Sequence, residues 1–223
     1  MNKKSGLILA LAATFLFATG AAFAANTLTV NNTCALGGTN FGLDIHADPS
    51  GAVTNSVYVE SDHPNAETHM LIRFRLKASA LDAPASGAGR NFRLLNMIDN
   101  SDATNPHKIL FLQPQSTTGN WRLAVWGFDT SLSQYTFIGG MFLFNYHAAS
   151  DIQVQCEWTQ DTGSGNGIVT CTKVGSGSTF TDSTVHDAGR VTDTVQAGFF
   201  DFDSFGNGAN GGDLCFDEYE SYR

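Results

Sequence analysis

Apolar and polar residues alternate with a period of two along much of the chain, which predicts β-strands. Residues 69–78, HMLIRFRLKA, alternate apolar side chains with Arg73, Arg75 and Lys77. The same period recurs in residues 151–160, DIQVQCEWTQ. No segment longer than a few turns has the 3.6-residue period of a helix. The pattern therefore predicts an all-β protein of about a dozen short strands.

The segments between these runs are rich in turn-forming residues, as in DTGSGNG at 161–167. Short strands at regular spacing with turn signals between them are typical of a two-sheet antiparallel β-sandwich. The composition agrees, with 23 Gly and 17 Phe among 223 residues and only 15% charged residues. No linker or change of composition divides residues 25–223, so we expect a single domain there.

The first 24 residues have the layout of a secretory signal peptide. Lys3 and Lys4 precede the apolar run 7–17, and Ala22-Phe23-Ala24 ends the segment with small residues at the cleavage positions. The apolar run is too short to span a bilayer comfortably. We therefore expect removal of residues 1–24, a secreted protein in the periplasm or outside the cell, and no membrane insertion.

The net charge of the mature chain limits the classes of binding partner that we expect. All 21 acidic residues follow residue 24, whereas two of the 12 basic residues precede it. The mature chain thus carries 10 basic and 21 acidic residues, a net charge of −11. Such a surface repels nucleic acids and anionic lipid headgroups, so neither is an expected partner.

The four cysteines suit an exported chain, in which they can be oxidised. Cys156 and Cys171 face each other if residues 151–160 and 168–174 form a hairpin around the turn at 161–167, and cross-strand neighbours are close enough for a disulfide. This pairing leaves Cys34 for Cys215, which would join the first strand to the last.

Three stretches resemble the bacterial concanavalin A-like lectin/glucanase superfamily, in particular its small secreted LamG-like jelly-roll proteins. Residues 59–76, VESDHPNAETHMLIRFRL, are similar to an early strand of that fold. Residues 147–174 are similar to its Trp-bearing hairpin, and residues 195–223 to its V-x-x-G strand, Gly-rich loop and last strand. The resemblance implies a concanavalin A-like jelly roll, a fold that carries lectins, glycosidases, lyases and structural modules alike.

Enzymes of that superfamily have motifs that this chain lacks. The resemblance implies an E-x-D-x-x-E strand for a glycosidase, and none of the five glutamates lies in such a motif. It implies a Gln-x-His strand and an Arg-rich strand for a lyase of the alginate type. Arg73-Phe74-Arg75 is similar to the second, but Gln-x-His is missing. The sequence therefore favours a protein that is not an enzyme.

Sugar binding is the function favoured by the remaining residues, because sugars stack on aromatic faces beside polar groups. Residues 120–128 place Trp121 and Trp126 on opposite faces, with Arg122 on the face of Trp126. The alternative for any single aromatic is a place in the core. The candidate ligand-binding residues are Arg73, Arg75, Arg122, Trp126 and Trp158.

Three classes of function stay open at this point. The favoured one is a non-catalytic module that binds extracellular or cell-surface polysaccharide or acts as an adhesin. The second is a structural or matrix scaffold that binds no glycan. The third is a diverged polysaccharide hydrolase or lyase.

A structural calcium ion is the one expected cofactor. The resemblance implies an Asp of the last strand as its ligand, and Asp217 occupies that position. Independently, Asp201, Asp203 and Asp213 flank a Gly-rich loop whose carbonyl groups can turn inward, and calcium prefers six to eight oxygen ligands. The alternative is that these carboxylates form a hydrated acidic surface.

Overall fold

The computed structural model describes residues 26–48, 56–82, 91–115, 118–200 and 211–223. Within these ranges the chain forms thirteen β-strands and a 3-10 turn at Asn100–Asp102. The strands are β1 (Thr27–Asn31), β2 (Gly42–Ala47), β3 (Val57–Glu67), β4 (His69–Leu81), β5 (Phe92–Ile98), β6 (Lys108–Gln115), β7 (Asn120–Asp129), β8 (Gln134–Asn145), β9 (Ile152–Thr159), β10 (Gly167–Lys173), β11 (Thr179–Val185), β12 (Thr192–Phe199) and β13 (Gly212–Tyr222).

The strands form two antiparallel sheets, as the alternating pattern predicts. The seven-stranded sheet has the order β1-β2-β13-β4-β9-β10-β11, and the six-stranded sheet has the order β3-β12-β5-β6-β7-β8. The predicted two-sheet sandwich with a single domain is therefore confirmed. Among the described strands, five of the eleven pairings join strands that are not consecutive in the chain; the strand β12, for example, pairs with β3 on one side and with β5 on the other.

The core lies between the two sheets and consists of their inward-facing side chains. On β4 the residues Met70, Ile72, Phe74 and Leu76 are completely buried, while the arginines between them point outward. Burying a side chain of this size contributes roughly 1.5–3 kcal/mol. The amphipathic alternation seen in the sequence is thus what fixes which face of β4 packs inward.

Both predicted disulfides are present. Cys156 and Cys171 occupy paired positions on β9 and β10, with sulfur atoms 2.04 Å apart. Cys34 and Cys215 are joined with sulfur atoms 2.05 Å apart. Cys34 lies in the connection between β1 and β2 and not in the first strand itself, so this bridge fastens a loop to β13.

The stretch 59–76 is not one strand, contrary to the resemblance drawn from the sequence. It contains the end of β3 and the start of β4, which belong to different sheets. The chain changes sheets at Thr68, two residues after Ala66, whose positive φ of 53° is unusual for a residue with a Cβ. The change of sheet places the acidic residues of β3 on the six-stranded sheet.

Two expectations lie outside the described residues. The signal peptide at 1–24 is one, and the two aspartates Asp201 and Asp203 are the other. In the part of the chain that the structure describes, no helix has the length and apolar character needed to cross a membrane.

Candidate functional site

A groove of about 500 Å³ crosses the outer face of the six-stranded sheet. Strands β3, β12 and β5 form its floor, and the 3-10 turn after β5 forms one wall. Polar side chains predominate in its lining, which includes Tyr58, Glu60, Asp62, Arg93, Asn96, Thr194, Gln196 and Phe200.

The register of the sheet brings three polar residues into one row. Gln196 of β12 is paired with Glu60 of β3 on one side and with Asn96 of β5 on the other. Paired residues of adjacent strands project to the same face, so all three side chains line the groove. The row continues across the rest of the sheet through Ile109, Trp126 and Phe137.

A β-bulge in β5 adds an arginine to this row. The register of β5 against β6 shifts between Arg93 and Leu95, and both Leu94 and Leu95 are buried in the core. Regular alternation would place Arg93 and Asn96, three residues apart, on opposite faces. The bulge inserts one residue and so turns both side chains toward the groove.

Hydrogen bonds connect these side chains into a chain of four groups. Arg93 Nε donates to Asn96 Oδ1 at 2.5 Å. Asn96 Nδ2 donates to Gln196 Oε1 at 3.2 Å, and Gln196 Nε2 donates to Glu60 Oε2 at 2.9 Å. Asn96 is only 3% exposed, so its amide is held in a fixed orientation. The network leaves the terminal nitrogens of Arg93 available to a ligand.

Arg93 carries its charge in a half-buried place. Burial lowers the pKa of its guanidinium, an effect that the nearby Tyr135 partly opposes. Among the described residues no carboxylate lies within ion-pair distance of it, whereas Arg75 and Arg190 both have acidic partners. A guanidinium that is held in a groove without a carboxylate partner is suited to bind an anion.

Two aromatic rings sit beside this guanidinium. The rings of Tyr58 and Phe200 stack with centroids 5.2 Å apart, and the Arg93 guanidinium lies 5.4 Å from the Phe200 centroid. Gly198 lies opposite Tyr58 in the sheet, and a Cβ there would collide with the Tyr58 backbone. The absence of a side chain at Gly198 therefore allows Tyr58 to lie against the groove floor.

Two of the ligand-binding residues predicted from the sequence lie on this same outer face, beyond the groove lining. Arg122 Nε donates to Gln113 Oε1 at 2.5 Å, and its guanidinium lies 5.2 Å from the Phe137 centroid. Trp126 packs edge-on against Phe137, with centroids 5.6 Å apart. They extend the polar groove into an aromatic surface over β7 and β8.

The other three predicted ligand-binding residues lie elsewhere. Trp158 is a core residue, 1% exposed, whose Nε1 donates to Asp187 Oδ2 at 2.5 Å. Arg73 and Arg75 lie on the outer face of the seven-stranded sheet. Arg73 bonds to Gln155 and Glu220, and Arg75 bonds to Glu218 and Asp151. Both guanidinium groups are therefore already paired with acidic side chains on that face.

The predicted calcium ligands do not form a cluster in the described part of the chain, where no group of three metal-binding side chains occurs. The carboxylate of Asp217 accepts hydrogen bonds from Leu36 N at 2.7 Å, from Glu218 N at 2.7 Å and from the Thr39 hydroxyl. Asp213 Oδ1 lies 2.6 Å from His46 Nδ1. Calcium binding therefore stays a prediction.

The sequence interpretation missed every residue of the groove lining named above. Glu60 and Asp62 alternate with Val59 and Ser61, which is the signal of a strand face. Asn96 is the single uncharged polar residue inside the apolar strand FRLLNMI, a second signal. Neither signal says which distant strands lie next to these residues.

Solved polysaccharide lyases share this fold. The endo-β-1,4-glucuronan lyase of the fungus Trichoderma reesei has a TM-score of 0.55 and 11% identity, over 88% of this chain and 86% of that chain. For the alginate lyase from Klebsiella pneumoniae the TM-score is 0.55 and the identity 11%, over 89% and 84%. For the marine PL7 alginate lyase of Zobellia galactanivorans they are 0.51 and 11%, over 88% and 93%. No protein-family model and no curated protein sequence matches the chain.

These likenesses establish a concanavalin A-like jelly roll and not its LamG-like branch. At 11% identity they speak to the fold alone. The expectation of a non-catalytic sugar-binding or adhesive module is contradicted by these likenesses, because the three solved structures named above are polysaccharide lyases.

Proposed function

We propose that the protein is an enzyme that cleaves uronate-containing polysaccharides by β-elimination in the groove of the six-stranded sheet. The observation that carries the proposal is Arg93, a half-buried guanidinium in the groove with no carboxylate partner among the described residues. A uronate carboxylate is the complementary group. The polysaccharide lyases that share the fold, which act on alginate and glucuronan, support the same substrate class.

The chemistry of β-elimination explains what the hydrogen-bond network does. The proton on the carbon next to a carboxylate is hard to remove while the carboxylate keeps its charge. Arg93 neutralises that charge, and the amides of Asn96 and Gln196 can donate to the oxygen on which the negative charge develops. A base then takes the proton, a carbon–carbon double bond forms, and the glycosidic oxygen leaves with a proton from an acid.

Tyr58 is the groove residue that we assign to the proton transfers. Its side chain lines the groove and is exposed, and its ring contacts the same Phe200 ring as the guanidinium of Arg93. A phenolate can accept the proton, and the phenol can return it to the leaving oxygen. Phe200 positions both groups and excludes water from one side of the site.

Hydrolysis is a second candidate because two carboxylates share one face of β3. Glu60 and Asp62 are two residues apart and both line the groove. Their Cα atoms are therefore separated by about 7 Å along the strand. Two carboxyl groups that flank a glycosidic bond can serve as acid and as base or nucleophile.

Export fits either reaction, because polysaccharides of this kind lie outside the cytoplasm. We propose that residues 1–24 direct the chain out of the cell or into the periplasm, which agrees with its two disulfides. The expected partner is an extracellular or cell-surface polysaccharide.

The test incubates the purified protein with alginate, with glucuronan and with a neutral β-glucan. Ultraviolet absorbance reports unsaturated products, and a reducing-sugar assay reports every cleavage. β-Elimination by wild type raises both signals on a polyuronate and neither on the neutral glucan. Tyr58→Phe abolishes the activity, whereas Tyr222→Phe, which alters an exposed tyrosine of β13, keeps it. Reducing ends without absorbance would favour the carboxylate pair, and no cleavage of any polyuronate would refute the lyase.

A further inference from the structure

An ion pair lies in the interior, and neither of its residues lines the groove. Lys108 at the start of β6 and Asp187 in the connection between β11 and β12 have side chains that are 1% and 0% exposed. Their Nζ and Oδ2 atoms are 2.5 Å apart. Burying such a pair costs several kcal/mol per ion, and the mutual attraction recovers this cost only with very good geometry.

The carboxyl group of Asp187 is surrounded by N–H donors. Asp161 N donates to Oδ1 at 2.8 Å, and Trp158 Nε1 donates to Oδ2 at 2.5 Å. A Cβ added at Gly167 would lie 2.9 Å from Oδ1, so the strand β10 closes tightly over this oxygen. The N–H of Asp161 points at Oδ1, where negative charge would collect if a nucleophile attacked Cγ with Oδ2 as the leaving oxygen, as in an oxyanion hole.

The amine of Lys108 is fully buried among groups that shift its pKa in opposite directions. Burial lowers its pKa, against the opposing influence of the charge and hydrogen bond of Asp187. Its ammonium group also lies 5.4 Å from the Trp158 ring centroid and 3.2 Å from the His107 carbonyl oxygen. Transfer of one proton from Nζ to Oδ2 along this hydrogen bond would give a neutral amine beside a carboxylic acid.

We propose that Lys108 and Asp187 condense into an amide cross-link within the folded chain. The Nζ lone pair attacks Cγ, a C–N bond forms, and the electrons of the Cγ–Oδ1 bond move onto Oδ1 toward the N–H of Asp161. The Cγ–Oδ2 bond then breaks, and Oδ2 leaves as water with one proton from the carboxylic acid and one from the amine. No oxidant or other reactant is consumed.

His107 is a buried, neutral neighbour of this ion pair. Its ring is completely buried 4.6 Å from the Trp158 ring, and its Nε2 lies 3.0 Å from the Thr192 hydroxyl. Its Nδ1 has no hydrogen-bond partner in the described structure. Burial, together with the charges of Lys108 and Arg190, holds the pKa of this imidazole well below its ordinary value, so the ring is a neutral base.

The cross-link would join elements that are distant in the sequence. It connects the first residue of β6 to the loop before β12, 79 residues further along. The pair also contacts β9 through Trp158, so the amide would tie the six-stranded sheet to the seven-stranded one. This inference is independent of the proposed enzymatic activity.

The mass of the reduced and alkylated protein tests the proposal. Once the amino-terminal residue is known, the measured mass of the wild-type protein should be one water molecule below the mass calculated from its sequence. Trypsin should fail to cut after Lys108, so that peptide 94–122 appears covalently joined to peptide 174–190. A full sequence mass and a free peptide ending at Lys108 would overturn the proposal.

Two variants give chemical controls. Asp187→Asn leaves a carboxamide at the same position, so condensation with Lys108 should release ammonia and yield a product of the same mass as cross-linked wild type. Lys108→Arg cannot form the amide and should keep its full mass. Loss of water that persists in Lys108→Arg would place the dehydration elsewhere and contradict the assignment.

Discussion

Replacing Arg93 by Met should nearly abolish activity on a polyuronate while leaving the fold intact. Met keeps the unbranched apolar part of the side chain and removes the guanidinium. The protein then loses the charge that faces the groove and the hydrogen bond from Nε to Asn96 Oδ1 at 2.5 Å.

The size of each effect follows from the surroundings of Arg93. A hydrogen bond to a charged group contributes about 1.5–3 kcal/mol, and a guanidinium can make two of them to one carboxylate. Losing both lowers kcat/KM by roughly a hundredfold to ten-thousandfold. Stability should fall by about 1–3 kcal/mol, because the lost hydrogen bond joins a charged donor to the buried Asn96 Oδ1, while removal of a half-buried charge opposes this loss.

The assay compares kcat/KM on a polyuronate with the free energy of unfolding in urea. Arg73→Met is the matched control, since Arg73 lies on the outer face of the other sheet beside Gln155. It should keep full activity. The reasoning fails if Arg93→Met retains activity within a few-fold of wild type, or if its activity falls only because the protein unfolds.

The other predictions concern stability. Replacing Cys156 and Cys171 by Ala opens a loop of 15 residues and should cost about 3 kcal/mol, whereas the Cys34–Cys215 bridge spans 181 residues and its loss should cost about 5 kcal/mol in a denaturant titration. Burial holds the pKa of His107 well below its ordinary value of 6.5, so stability should fall as pH drops below that value; His107→Gln should reduce this loss and the half-exposed His69→Gln should not. Asp217→Ala should lower the melting temperature even in a chelator, because its carboxylate holds Leu36 N and Glu218 N; a larger loss in calcium than in the chelator would support the predicted ion.

The sequence correctly predicted those strands and pairings that depend only on residues close together in the chain. The strand β4 and the hairpin of β9 and β10 show clean alternation, and the pairing of Cys156 with Cys171 follows from one short turn. Alternation also placed Trp121 and Trp126 on opposite faces correctly. Trp158 was misjudged as a candidate ligand contact because its buried partner Asp187 lies 29 residues away.

The groove could not be predicted because it depends on a bulge and on distant pairings. Regular alternation in FRLLNMI places Arg93 with Leu95, and only the register shift turns Arg93 to the side of Asn96. Gln196 meets Asn96 and Glu60 across separations of 100 and 136 residues. The motifs searched for in the sequence, such as Gln-x-His, cannot detect a site assembled in this way.

The most direct test of the account is the mass of the oligosaccharides that the purified protein releases from alginate or glucuronan. β-Elimination predicts products whose non-reducing end is unsaturated, each lighter by one water molecule than the hydrolytic product of the same length. The products should be absent with Tyr58→Phe and strongly reduced with Arg93→Met. Saturated products, or release that is unchanged in both variants, would contradict a lyase site in this groove.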